Sequence, residues 1–474
     1  MTRAYRRLRR ERWHTKLLET LRRQPPEWSQ QTLARLREAA LRNGIVIYPD
    51  AKTPQPVLIH WVPWLLTPAQ CRYVQLLGIR VRRVLNRVLR TYLDDPVLQA
   101  VLPLSEDERT WLAQLAPKGL PEPAIVFERL DTNLMTDDPQ WPSTFRILEF
   151  NSVGIGCLHF APSANQLIAE HVLPVLQPVL GQTPAQLPPD PRILLRRALE
   201  AHAKAIGRPH AVTAFVERRE SCSGGADEMR AVSEFLNAQG FPTVYADPRD
   251  LEVRNGELMC KDTAIDLVYR DFMLSEVVSI EKHGGHLDAM KQAFSRNQVV
   301  SGLAGEFDHK SLLELCSNPE FGRCFTPSQR RTLHSFVPWT RLIYERKTTD
   351  PEGKEVDLVE YVRAHREALV LKPNRAYGGQ DVVIGVDAAQ AAWEAAVGNA
   401  MAEPNAWVAQ AFVPLPRAEF FIPDAQLPDA TMKEFVTMGF IATPDGISFV
   451  GRSFGDRIVN ISRGGGLVPV FLLR

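Results

Sequence analysis

Apolar residues recur near helical spacing over residues 1–120, with Leu17, Leu18 and Leu21, then Leu33, Leu36 and Leu41, on successive turns. Pro25-Pro26 separates the first two of these helices. Strand-like runs begin near Ala124-Ile125-Val126-Phe127, and Phe145 to Phe150 reads as another. The Pro-rich run Leu187 to Pro191 reads as a linker. An alternation follows it: strand Ala211–Val216, amphipathic helix Ala226–Gln239 ended by Gly240, and strands at Pro242–Tyr245 and Ile265–Tyr269. That alternation predicts a small parallel sheet with helices. Beyond residue 301, short apolar runs at Ala368–Leu371, Asp381–Gly385, Trp407–Gln410, Phe435–Ile441 and Ile447–Val450 are divided by Gly, Pro and Asp. They predict an α+β region, and Pro404 to Pro428 reads as a flexible connection.

At 474 residues the chain exceeds one ordinary hydrophobic core, so two to four packed units are expected. Its 56 basic and 55 acidic residues nearly balance, which argues against a general nucleic-acid binder. Six cysteines without C-x-x-C or zinc-finger spacing read as reduced thiols of a cytoplasmic protein. No apolar run is long enough to cross a bilayer, so no membrane partner is expected. The Arg-rich segment Met1–Arg23 lacks the apolar core of a secretory signal and reads as a solvated helix.

Three segments carry candidate chemistry. Leu369 to Gly385 reads as a strand ending in Lys372, a turn containing Gly378, Gly379 and Gln380, and a second strand. Such a turn offers backbone N–H groups and an ammonium to phosphate oxygens, although an ordinary hairpin has the same outline. In Arg146 to Gly156, Glu149 and Asn151 fall on one face of a strand, a pair of oxygens suited to Mg²⁺ or to neighbouring hydrogen bonds. The tail Gly451-Arg452…Arg457…Arg463-Gly464-Gly465-Gly466 suits an anion or acylphosphate, since arginine binds phosphate bidentately.

Together and in this order, the segments resemble the ATP-grasp superfamily in the circularly permuted arrangement of eukaryotic glutathione synthetase and glutathionylspermidine synthetase-like proteins. The resemblance extends over residues 124–474. Phe127 to Asp131 is similar to the family's Arg-x-Asp strand, Val268 to Phe272 to the strand with a second substrate arginine, and Lys310 to the first ATP lysine. Lys372 is similar to the second lysine, Trp407 to Val413 to the adenine-contacting hinge, and Glu434 to a nucleotide-contacting glutamate. The resemblance implies an α+β ATP-grasp fold with an inserted α/β substrate domain and a helical N-terminal region. Its divisions would be 1–120 helical, 121–200 core sheet with the metal strand, 201–300 substrate domain, and 301–474 lid and C-terminal core strands. It also implies a carboxylate–amine ligase using ATP and Mg²⁺, with small-molecule acid and amine substrates and a homodimeric assembly. Glu149, Asn151 and Asp381 would hold the metal. Lys310, Lys372, Gly378, Gly379, Gln380, Gln410, Phe412, Val413 and Glu434 would hold the nucleotide, and Arg129, Arg270 and Arg457 would serve the reacting groups. Ala376 stands where the synthetase has its third metal-binding glutamate, and Met273 where it has a substrate tyrosine.

Other candidates have simpler readings. His283 and His286 flank Gly284-Gly285 in a polar loop. Cys157 reads as a small buried thiol with no base beside it. Gly451-Arg452-Ser453-Phe454-Gly455 has a nucleophile-elbow pattern but neither a helical pattern nor a histidine after it.

Overall fold

Helix Pro68–Leu89 shows how the sequence builds the first layer. Thr67 caps it, with the Thr67 hydroxyl and the Gln70 side chain closing a reciprocal capping box and Pro68 in the first turn. Val74, Leu77, Val81, Val84, Leu85 and Val88 form its buried face, packed on the long strand Thr431–Thr443. The computed structural model describes residues 13–49, 52–116, 125–135, 140–181, 183–209, 211–221, 227–423 and 430–474. Residues 1–12 of the Arg-rich segment, Ala124, Cys222, Ala226 and 424–428 of the Pro-rich run lie outside them.

The fold is mixed α+β. A central sheet runs in the order Leu58–Ile59, Gly466–Val468, Gly446–Phe454, Thr431–Thr443, Arg129–Thr132 and Ile147–Asn151, with Arg417–Phe421 also paired to Thr431–Thr443. Only the first of these pairings is parallel. A second sheet is wholly parallel, in the order Val299–Val300, Leu267–Asp271, Thr213–Glu217 and Thr243–Ala246, as the βαβ alternation predicts. A third is antiparallel and joins Thr340–Leu342, Trp407–Ala411, Leu369–Pro373 and Val383–Ile384.

Two local expectations change. The run 125–128 is not a strand; pairing begins at Arg129, where the chain first meets Asn151. The Pro-rich run after residue 404 is not a plain connector either. It holds strands Trp407–Ala411 and Arg417–Phe421, because its prolines fall between the strands and leave the ladder donors intact. The five cysteines among the described residues are free. No helix there is long and apolar enough to cross a membrane.

Ser453 lies inside the end of strand Gly446–Phe454, fully buried, with no α-helix directly after it. A histidine does reach it, from the far end of the chain. His60 Nε2 lies 2.7 Å from Ser453 Oγ and 3.0 Å from Glu434 Oε2. All three side chains are buried, so the cluster is an internal tie between chain ends. Burial lowers the His60 pKa from 6.5, outweighing the opposing pull of Glu434. The unfolded chain therefore takes up a proton at His60 as pH falls through 6.5 while the folded chain refuses it, and stability drops on acidification. His60→Gln removes this contribution. Denaturant titrations from pH 7 to 5 should show a shallower loss than the wild type, by up to about 1.4 kcal/mol per pH unit.

Candidate active site

The floor of the site is built from two registered strands. Arg129 pairs with Asn151 and Asp131 with Glu149, and the two-residue period turns all four side chains to one face. Arg129 holds Asp131 bidentately (2.7 and 3.0 Å) and donates its remaining nitrogen to Gly156 O at 2.7 Å. Arg452, two strands away, donates to Asp131 Oδ2 at 2.7 Å. On the intervening strand Thr431–Thr443 the bare Gly439 makes room for the Arg129–Asp131 pair: a Cβ there would lie 2.7 Å from Asp131 Oδ1 and 2.9 Å from Arg129 Cδ. Burial would raise the Asp131 pKa, but Arg129 and Arg452 outweigh it and bring it down to about 2. Asp131 thus fixes two guanidinium groups over the sheet.

Two distant lysines close on this floor. Lys310 Nζ lies 2.9 Å from Glu149 Oε1 and donates to Ala376 O at 2.5 Å. Lys372, at the end of strand Leu369–Pro373, donates to Gln410 Oε1 at 2.7 Å. Burial lowers the Lys372 pKa to about 8 against the opposing pull of Glu149. Glu149 is held below the ordinary carboxylate range because Lys310 and Lys372 overcome its burial and the repulsion of Asp131. The main chain locks the lysines together: Lys310 N donates to Asn374 O at 3.0 Å, and Ser311 N to Asn374 Oδ1 at 2.8 Å.

The turn after Lys372 bends over the site through Gly378 and Gly379, at φ +66° and +71°. A Cβ on Gly379 would lie 2.4 Å from Ile458 Cγ2, and Asn460 Nδ2 donates to Gly378 O at 2.7 Å, so the turn rests on the C-terminal loop. Beneath it is a cavity of about 560 Å³. Glu149, Asn151, Arg129, Lys310, Lys372 and Arg457 face it, with Gly378, Gly379, Gln380, Gln410, Phe412 and Val413 around the turn and hinge. Arg457 pairs with Asp387 and lies over the Phe412 ring at 5.8 Å.

Three expected residues are elsewhere. Arg270 is buried and spends its donors on Ser301 O (2.7 Å), Phe272 O (2.6 Å), Gly302 O (3.1 Å) and Glu306 Oε2 (3.1 Å). Strand parity explains the correction: Asp271, one residue on, points to the cavity instead. Glu434 is committed to His60 and Ser453 and does not line the cavity. Asp381 sits exposed on the turn at φ +52° and does not line it either. Arg452 enters the sequence reading as one of the tail arginines suited to an anion, while Asp131 and Gly439 lie inside recognised strand runs without a role of their own; a pairing register is needed to bring the three together. Burial pushes the Cys157 thiol up to about 12, so it offers no thiolate at neutral pH. The polar loop of His283 and His286 forms no metal cluster, and none of three or more His, Cys, Asp or Glu occurs among the described residues.

No family model matches the sequence, and no curated protein is similar enough to it to count as a relative. Among solved structures the chain is similar to a glutathione synthetase-like effector from Globodera pallida in its apo form. The TM-score is 0.60 at 12% identity, and the match covers 95% of this chain and 98% of that one. The two chains share a fold of the glutathione synthetase-like kind.

Proposed function

We propose that the protein is an ATP-dependent carboxylate–amine ligase on a circularly permuted ATP-grasp fold, with residues 201–300 as an inserted substrate domain. The observation that carries this reading is the meeting of Glu149, Lys310 and Lys372, drawn from distant parts of the chain, around one cavity beneath a glycine turn. The glutathione synthetase-like fold supports it.

The donor set fits Mg²⁺ brought in with a triphosphate. Glu149 offers a carboxylate, and Asn151 turns its N–H₂ toward Asp131 (3.3 Å), leaving its oxygen for a cation. One or two protein oxygens suffice when phosphates and water complete the shell. Mg²⁺ bound there would neutralise phosphate charge. Lys310 and Lys372 hold the phosphates, and the turn keeps water out. A substrate carboxylate oxygen attacks the γ-phosphorus of ATP, the bond to the β–γ bridging oxygen breaks, and ADP leaves. The amine nitrogen then attacks the acylphosphate carbon, the C–O bond breaks, and inorganic phosphate departs as the nitrogen sheds a proton. Arg129, Arg452 and Arg457 steady the charge on the acylphosphate.

Ala376 favours a second reading, a nucleotide-binding protein that no longer ligates. The test is ADP release from Mg²⁺–ATP across pools of acids, amino acids and peptides, with mass detection of product. Release that needs both an acid and an amine, with an amide formed, supports the ligase. ATP binding without turnover in every pool supports the binder, and a stable phosphorylated product without amide points to a phosphotransferase.

A further inference from the structure

The outer side of helix Pro68–Leu89 carries charge of one sign only. The helix has five arginines and no acidic residue. Arg82 turns inward and donates to Ala442 O at 2.8 Å. Arg72, Arg80, Arg83 and Arg87 are exposed and form no ion pair or hydrogen bond among the described residues. Tyr73, Leu76, Arg80, Arg83 and Arg87 recur at intervals of three and four, so they make one stripe along the helix, the spacing by which a helix meets a second helix. Leu76 is 62% exposed, more than any other large apolar residue among the described ones.

A second helix, Pro327–Phe336, walls the other side of the stripe. It too holds arginines, Arg330 and Arg331, and no acid. Between the two helices is a groove of about 680 Å³, with the buried Leu77 and Val84 at its floor and Arg80 and Arg83 along its rim. The Tyr73 ring stands at one end, edge-on to Phe336 at 6.1 Å and to Trp141 at 5.2 Å. From Tyr73 to Val84 the groove runs for roughly 16 Å, about three helical turns. None of its residues lines the cavity beneath the glycine turn.

An apolar groove under unpaired guanidinium groups calls for an occupant with both apolar anchors and anions. Nucleic acid brings phosphates but no aliphatic group to cover Leu76. A bilayer is too flat to enter a groove between two helices. A second copy seated on the same stripe would set arginine against arginine. We propose that the groove seats an acidic amphipathic helix of a partner protein. Its apolar residues would cover Tyr73, Leu76 and Phe336, and its carboxylates would take the forked donors of Arg80, Arg83 and Arg87. The inference is independent of the ligase reading.

A labelled peptide of about 20 residues, long enough to hold a helix in water, tests it by fluorescence anisotropy with the full chain. Leucines are placed to face Tyr73 and Leu76, glutamates to face the three arginines, and the peptide is made in both chain directions. One direction should bind with micromolar affinity. Leu76→Ser should weaken it tenfold or more, and so should Arg80→Glu combined with Arg83→Glu. Both variants should keep the wild-type thermal midpoint, because the three positions are exposed. A peptide with lysine in place of glutamate should fail on the wild type and bind the doubly reversed chain. No binding in either direction, or binding indifferent to Leu76→Ser, overturns the proposal. Tighter binding of a uridine oligonucleotide or of phosphatidylserine vesicles than of the peptide overturns it in favour of RNA or membrane. A wild-type dimer in sedimentation that Leu76→Ser dissolves overturns it in favour of a second copy.

Discussion

Lys372→Ala should weaken Mg²⁺–ATP binding by about a hundredfold, the equivalent of the 2–3 kcal/mol carried by one charged hydrogen bond in a water-poor site. Among the described residues the ammonium stands near Glu149 and donates to Gln410 alone, so its removal leaves Lys310 as the one lysine on that carboxylate. Its low pKa adds a second readout. Near pH 8 part of the population has a neutral Lys372, and phosphates favour the charged form. Nucleotide binding at pH 8.5 should therefore draw a proton from solution. Calorimetry in two buffers of different ionisation enthalpy would measure that uptake, and Lys372→Ala should abolish it. Wild-type affinity in the variant would mean that the two lysines do not share a triphosphate.

Arg270→Ala should destabilise the protein by about 3–5 kcal/mol, because it removes the buried partner of Glu306 and leaves that carboxylate only the longer contact with Arg375. The Arg270 and Glu306 side chains are fully buried and 3.1 Å apart. They belong to a chain of charges in which Arg375, just after Lys372, holds Glu108 (2.9 and 2.5 Å) and reaches Glu306 (3.4 Å). Removing both members with Arg270→Leu and Glu306→Met should recover much of the loss, since apolar pairs of similar volume replace buried ion pairs with little penalty. A substrate-binding arginine would behave differently: stability would hold and the apparent affinity for substrate would fall. Denaturant midpoints of the two variants distinguish these roles.

These cases show what could be read from the sequence and what could not. Glu149 and Asn151 on one strand face, Lys372 at a strand end and the glycine turn were legible because each depends on local periodicity or turn chemistry. Lys310 was legible only through family likeness, since the partner that explains it, Glu149, lies far away in sequence. Arg270 misled because a run of alternating residues does not say which face meets a cavity; a shift of one position exchanges Arg270 for Asp271. The contact of Asp131 with Arg452 stayed hidden because it spans 321 positions and crosses an intervening strand. Glu434 resembles a nucleotide-contacting glutamate in sequence, and the arrival of His60 from the other end of the chain shows it to be committed.

The central sheet places Leu58–Ile59 beside Gly466–Val468, and Arg129–Thr132 beside Thr431–Thr443. A nascent chain leaving the ribosome would hold the strand Ile147–Asn151 and both lysines before the strand that carries Arg452 had been translated. Closing such a distant pairing is entropically demanding and slow. The strand Leu58–Ile59 and the free edge of Arg129–Thr132 would therefore wait for their partners until residues 431–468 had been made.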